Sequence, residues 1–146
     1  MLSFDLINQP DLATARERLQ PEVDPAADLL VVYEDDYDFL ARVLQAAGYD
    51  APQTQLHLLP WTAADGPLTL TALQRHLGIS KTILFGQDLP ALGLHFQVVD
   101  FFAVTVAGVT YLQCPAVSTI AAAKASGNNG PAGALWKAVK ANFLRE

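Results

Sequence analysis

The sequence is short of charge, of cysteine and of clustered basic residues. Only 16% of its 146 residues are charged and 51% are apolar, which excludes a disordered chain, since disorder needs low hydrophobicity and high net charge. One cysteine, Cys114, excludes an internal disulfide and makes a reducing, cytoplasmic location the expectation. No apolar run approaches the roughly 18 residues of a membrane helix, so no membrane association is expected. The start, MLSFDLINQPDLATARERL, places acids early and lacks the basic-then-apolar order of a secretory signal.

Motifs are missing too. There is no G-x-S-x-G to raise a nucleophilic serine, no G-x-x-x-x-G-K to cradle phosphates and no G-x-G-x-x-G for a dinucleotide. The three histidines, His57, His76 and His95, share no ligand spacing, so neither a metal nor a cofactor is expected. Basic residues never concentrate. Residues 1–66 hold twelve acidic and three basic side chains, a net −9, and residues 67–146 hold three and six, a net +3. The small late set, Lys124, Lys137, Lys140 and Arg145, reads as the solvated face of closing helices rather than a phosphate track, which disfavours direct nucleic-acid binding.

What is present is a strand–helix alternation. The segment QPEVDPAAD, with two prolines and three acids, separates an N-terminal arm and linker, 1–27, from a single α/β domain, 28–146. In the arm, Asp11 can cap a short helix running to Leu19, with Pro10 at its entry. Leu2, Phe4, Leu6 and Ile7 alternate around Asp5 and could order against a partner.

In the domain, LLVVY (29–33) is a continuous apolar run of the length of a strand covered on both faces. YDFLARVLQAAG follows as a helix, with Phe39, Leu40, Val43, Leu44 and Ala47 on one face and Gly48 as its stop. QLHLLPW is a second strand, LTLTALQRHLG a second helix and KTILF a third strand. QVVDFFAVTVAGVTYLQCP reads as extended chain turning near Ala107-Gly108, and AVSTIAAAKA as weakly helical. SGNNGPAG reads as a loop before a last helix, ALWKAVKANFL. The βαβαβ order predicts a three-layer αβα sandwich with a small, mainly parallel central sheet.

In such a sheet, ligands sit beyond the carboxyl ends of the strands. Candidate cleft residues are therefore Glu34, Asp35, Tyr37, Trp61, Gln87, Asp88 and His95. Glu34, Asp35, Asp36 and Asp38 crowd one loop. They could bind a hard cation or hold a base of raised pKa, but acids at a helix N-terminus account for most of the pattern. Tyr33, Tyr37, Trp61 and Phe85 could stack a base or simply pack. Trp61, after Pro60, is the one expected to be exposed. Cys114 is expected as a small buried apolar residue.

LLVVY, FLARVLQAAGYD, QLHLLP, ILFGQDLPALGL (83–94), CPAVSTI (114–120) and LWKAVKANF (135–143) occur in an order that resembles the psi subunit of bacterial DNA polymerase III, over about residues 29–144. The resemblance implies a fold related to uracil-DNA glycosylases and a partner-binding N-terminal segment. In the glycosylases a G-Q-D-P-Y loop follows the first strand, and its aspartate orients the attacking water. Here Asp35 and Tyr37 stand at the places of that aspartate and tyrosine, while Tyr33, Glu34 and Asp36 replace the glycine, glutamine and proline. Cys114 stands where a second loop carries the histidine that stabilises the departing base. Gly86-Gln87-Asp88 spells the motif but follows the third strand, the wrong slot.

Two function classes follow. The first is a non-enzymatic accessory protein, psi-like, associated with the clamp loader of the replicative polymerase. The alternative is a glycosylase-fold enzyme, or a nucleotide- or base-binding protein, with an altered site that uses Asp35 or Asp88 with His95. The first predicts a filled or shallow cleft and an N-terminal arm that is mobile or in contact with a neighbour, and the second predicts convergence of Asp35 and His95.

Overall fold

A computed structural model describes residues 14, 15, 17–19, 23, 27–66 and 68–142. Five strands form one sheet: β1 (Leu29–Tyr33), β2 (His57–Pro60), β3 (Lys81–Phe85), β4 (Val104–Val106) and β5 (Val109–Cys114). Their order is β2-β1-β3-β5-β4, with β4 antiparallel to β5 and every other pairing parallel. Among the described residues α-helices with complete bounds accompany them: α1 (Tyr37–Ala47), α2 (Pro52–Gln55), α3 (Leu70–Leu77), α4 (Val117–Ala125) and α5 (Gly130–Asn142). The architecture is α/β, a mainly parallel sheet with helices on both faces.

The two faces follow from the period of two along a strand. Leu29, Val31 and Tyr33 of β1 join Ile83, Phe85, Leu112 and Cys114 in one core, against Phe39, Leu40 and Leu44 of α1 and Val117, Ile120, Leu135 and Val139 of the closing helices. Leu30, Val32, Leu59 and Leu84 point the other way, to Leu70 and Leu73 of α3 and to Leu89, Leu92 and Leu94 of the chain after β3. Both faces of β1 are buried, which is why LLVVY reads as an unbroken apolar run.

One polar pair is buried with the second core. Gln74 donates to Thr82 Oγ1 at 3.0 Å and accepts from the Tyr111 hydroxyl at 3.0 Å, which ties α3 to β3 and β5 without an unmatched polar atom.

Several boundaries differ from expectation. The extended reading of QVVDFFAV does not hold, since strand pairing begins only at Val104. Val99 to Phe102 instead forms a turn closed by the Phe102 N–H to the Val99 carbonyl, and Phe101 takes φ 69. The hairpin does turn at Ala107-Gly108, where φ values of 53 and 84 make the primed turn that matches strand twist. The loop SGNNGPAG is partly helical, because α5 starts at Gly130. Asn128 Oδ1 accepts the Gly130 N–H at 3.0 Å, and Pro131 suits a first turn, where its missing N–H costs nothing.

In the segment 1–27, Thr14, Ala15, Glu17 and Arg18 are helical, and Ala15 is fully buried in the second core with Leu19 packed against it. Leu2, Phe4, Leu6 and Ile7, the expected partner-binding side chains, lie outside the described residues, as do Phe143 and Arg145.

Candidate functional site

β1 and β3 are neighbours, but the chain leaves β1 toward the α1 face and leaves β3 toward the α3 face. Their carboxyl ends therefore define the switch point at which open α/β sheets bind ligands. Here that crevice is closed by the chain itself. Three contacts do it.

The first uses Glu34. Its carboxylate accepts the Val117 N–H at Oε1 and the Ser118 hydroxyl at Oε2, the latter at 3.1 Å. α4 begins after Ala116, which has no side-chain acceptor, so a residue 83 positions away caps it. The expected side-chain cap from the acidic loop on its own helix is therefore corrected, while Asp38 does stand in the first turn of α1, as expected of these acids. Asp36 sits before α1 with left-handed φ 58 and makes no side-chain cap, while Asp35 accepts the Asp36 N–H at 2.7 Å.

The second contact is at Gly86, whose N–H donates to the Cys114 carbonyl at 3.0 Å and whose Cα faces Ala116 without room for a side chain. The third uses Gln87. Its amide donates to the carbonyls of Trp61 at 2.9 Å and Phe85 at 3.1 Å. Since β1 lies between β2 and β3, this side chain crosses the end of β1.

Trp61 is not exposed, contrary to expectation: only 2% of it meets solvent. The loop after β2 folds back so that its indole N–H reaches the Gly66 carbonyl at 3.0 Å, and Arg18 lies 5.0 Å over the ring. Arg18 also donates to the Pro60 carbonyl at 3.2 Å and pairs with Asp65 at 2.8 Å. Hydrogen bonds from Arg18 and the Thr62 backbone hold the Asp65 carboxyl well below the usual carboxylate range.

The remaining candidates do not assemble. Tyr37 is half-buried, its ring 6.0 Å from that of Tyr33. Asp35, Asp88 and His95 are exposed. His95 precedes Phe96, whose ring packs 4.9 Å from Tyr111, and Tyr111 stands opposite Thr82 near the start of β3. Asp35 follows β1 at the other end of the strands, so Asp35 and His95 do not share a cleft. Tyr33 and Phe85 are buried with Trp61, leaving no exposed stacking platform among these aromatics. Among the described residues no three His, Cys, Asp or Glu side chains are grouped to hold a metal ion.

Cys114 is buried at the end of β5, as expected of it. Burial, helped by the charge of Asp100, pushes its thiol far above the ordinary range, so it stays protonated at neutral pH. The native protein is expected to be inert to a thiol-specific chromophoric reagent and to react with one equivalent once unfolded in urea. Rapid native labelling would mean that the strand end opens.

A separate groove runs between α1, α4 and α5. It encloses about 630 Å³ over Phe39, Val43, Ala121, Ala125, Ala132 and Trp136, and Arg42 and Lys124 stand at its rim. None of the seven candidate cleft residues lines it. The sequence carried one signal of it: α4 is alanine-rich all round, yet only Val117 and Ile120 are buried.

The class defined here is an α/β protein whose usual ligand crevice is bridged by its own backbone and side-chain contacts. No protein-family model matches the chain, and no curated protein matches it significantly. Among the described residues no helix is long and apolar enough to cross a membrane.

Proposed function

We propose that this protein is a non-enzymatic interaction subunit, similar to the psi accessory subunit of the replicative clamp loader, on a scaffold of the uracil-DNA glycosylase kind that lacks the catalytic pair. The observation that carries this reading is the closed carboxyl edge. Glu34, which could have served a site, is spent on the N-terminus of α4, and Gln87 is spent on the Trp61 carbonyl.

The stretches on which the resemblance rests also meet in space. Gly86 of ILFGQDLPALGL contacts Cys114 and Ala116 of CPAVSTI, and Leu135 and Val139 of LWKAVKANF pack with Phe85, Val117 and Ile120. Base excision needs a water-positioning carboxylate beside a pocket and a donor to the leaving base. Asp35 lines neither described hollow, and a buried neutral thiol stands in the donor's place. A replication partner implies a cytoplasmic protein, and the net −9 of residues 1–66 suits a basic partner surface.

The test is a pull-down with the full chain and with a chain lacking residues 1–13. The deletion stops there because Ala15 is buried and Arg18 is clamped on Trp61. Clamp-loader subunits are expected with the full chain and not with the truncated one. Their absence from both would sink the reading.

A further inference from the structure

The face made by α1, α4 and α5 has its own charge. These helices hold one acid, Asp38, and four bases, Arg42, Lys124, Lys137 and Lys140, a net +3 in a chain of net −6. Among the described residues the ion pairs formed are Arg18 with Asp65 and Lys81 with Asp28, so none of the four bases pairs with a carboxylate there. Lys124 instead lies 6.0 Å over the ring of Phe39, and Lys140 lies 4.6 Å over that of Trp136. Both rings line the groove between these helices, and Arg42 stands exposed on its α1 wall.

The groove follows helix faces lengthwise. Along α1 its lining falls at Asp36, Phe39, Val43 and Ala46, steps of three and four residues that keep to one side of a helix. That stripe is about 15 Å long at about 1.5 Å per residue. α4 meets it with Ala121 and Ala125, and α5 with Ala132 and Trp136, each pair about one turn apart. The small side chains of α4 and α5 leave the hollow of about 630 Å³ where large ones would have filled it. Trp136 bridges two walls, its indole N–H donating to the Ala46 carbonyl at 3.1 Å.

These features restrict the occupant. The walls are helices, whose backbone groups are bonded internally, so an extended peptide would find no edge to pair with. A helix brings its own backbone bonds and presents side chains at the same three- and four-residue steps. A second copy of this chain is disfavoured, because a two-fold contact sets Arg42 and Lys124 near their own images. Carboxylates flanking an apolar stripe complement those two cations.

We propose that the groove between α1, α4 and α5 takes an acidic amphipathic helix of a partner protein. The apolar stripe of that helix enters over Phe39, Val43 and Trp136, and its flanking carboxylates pair with Arg42 and Lys124. The inference is independent of the clamp-loader reading, since its test uses no replication protein.

The test pans a displayed library of random peptides, about 16 residues long to cover the stripe, against the full chain. Enriched peptides are expected to be acidic, to repeat apolar residues at helical spacing and to gain helical circular dichroism on binding. They should bind about tenfold or more weakly to the double variant Arg42→Glu, Lys124→Glu. Ala125→Trp, which fills the groove from an exposed position, should weaken them as much. Lys137→Glu, the same charge reversal off the groove, should cost no more than about twofold. Every substituted side chain is exposed, and thermal unfolding checks that the variants fold as the parent does. A library that yields no binder overturns the proposal, as do binders without excess acid and binders indifferent to the groove variants. It is overturned too if decanoate, a small apolar anion, shows that variant pattern and no peptide does, or if the free chain forms a dimer that the double variant breaks.

Discussion

Gly86→Ala is expected to destabilise the protein by about 2–4 kcal/mol, an unusually large effect for adding one methyl group. Two causes add. Gly86 has φ +60, where an L side chain costs about 1–2 kcal/mol. A Cβ built there would lie 2.8 Å from the Ala116 Cβ and 2.9 Å from its Cα, so the first turn of α4 and the end of β3 would have to part. Gly78 and Gly93, with φ of +71 and +76 and nothing within 4 Å of a built Cβ, isolate the first cause. Alanine at either should cost only about 1–2 kcal/mol. Ala116→Gly in the Gly86→Ala background removes the Cβ contact and should recover part of the loss. Denaturant unfolding of the four variants checks this, and a Gly86→Ala chain no weaker than Gly78→Ala would show that the strand end and α4 are not in close contact.

Phe85→Ala, one residue earlier, should cost about 3–5 kcal/mol by the opposite defect. Phe85 is fully buried at the end of β3, opposite Cys114 and in one cluster with Val117, Ile120, Leu135 and Val139. Truncation leaves a cavity between the sheet and the α4–α5 layer, and the sheet on one side and two helices on the other limit its collapse. Phe85→Leu, which keeps most of the volume, should cost less than about 1.5 kcal/mol. The comparison is made on midpoints at constant denaturant slope. Equal losses for Ala and Leu would mean that the cluster is not packed around this ring. The two adjacent positions impose reverse demands: one must have a large side chain, the other must have none.

Elements whose causes lie within a few residues were legible in the sequence. LLVVY and KTILF are strands with the expected bounds, α1 buries Phe39, Leu40, Leu44 and Ala47, and the hairpin turns at Ala107-Gly108. Each reports a short-range pattern: an apolar run, a 3.6-residue period, or a turn that needs positive φ. The misread parts have distant causes. The Glu34 carboxylate looked like a local cap or a ligand, and its partners are Val117 and Ser118. Trp61 looked like an exposed ring after a proline, and it is buried because Gly66 and Arg18 close over it. Gly86-Gln87-Asp88, already in the wrong slot for the motif it spells, has a structural part that was not legible: its first two residues fasten strand ends together.

By itself the sequence determined the α/β class, the alternation that builds a parallel sheet and the inward set of apolar residues, because burial of periodic apolar side chains is written along the chain. Only the tertiary structure decided that contacts from distant parts of the chain bridge the carboxyl ends of the strands. Whether a carboxylate or an amide is free to act depends on which backbone donors and acceptors the fold brings to it. Those came from other strands and helices, as far as 83 positions away.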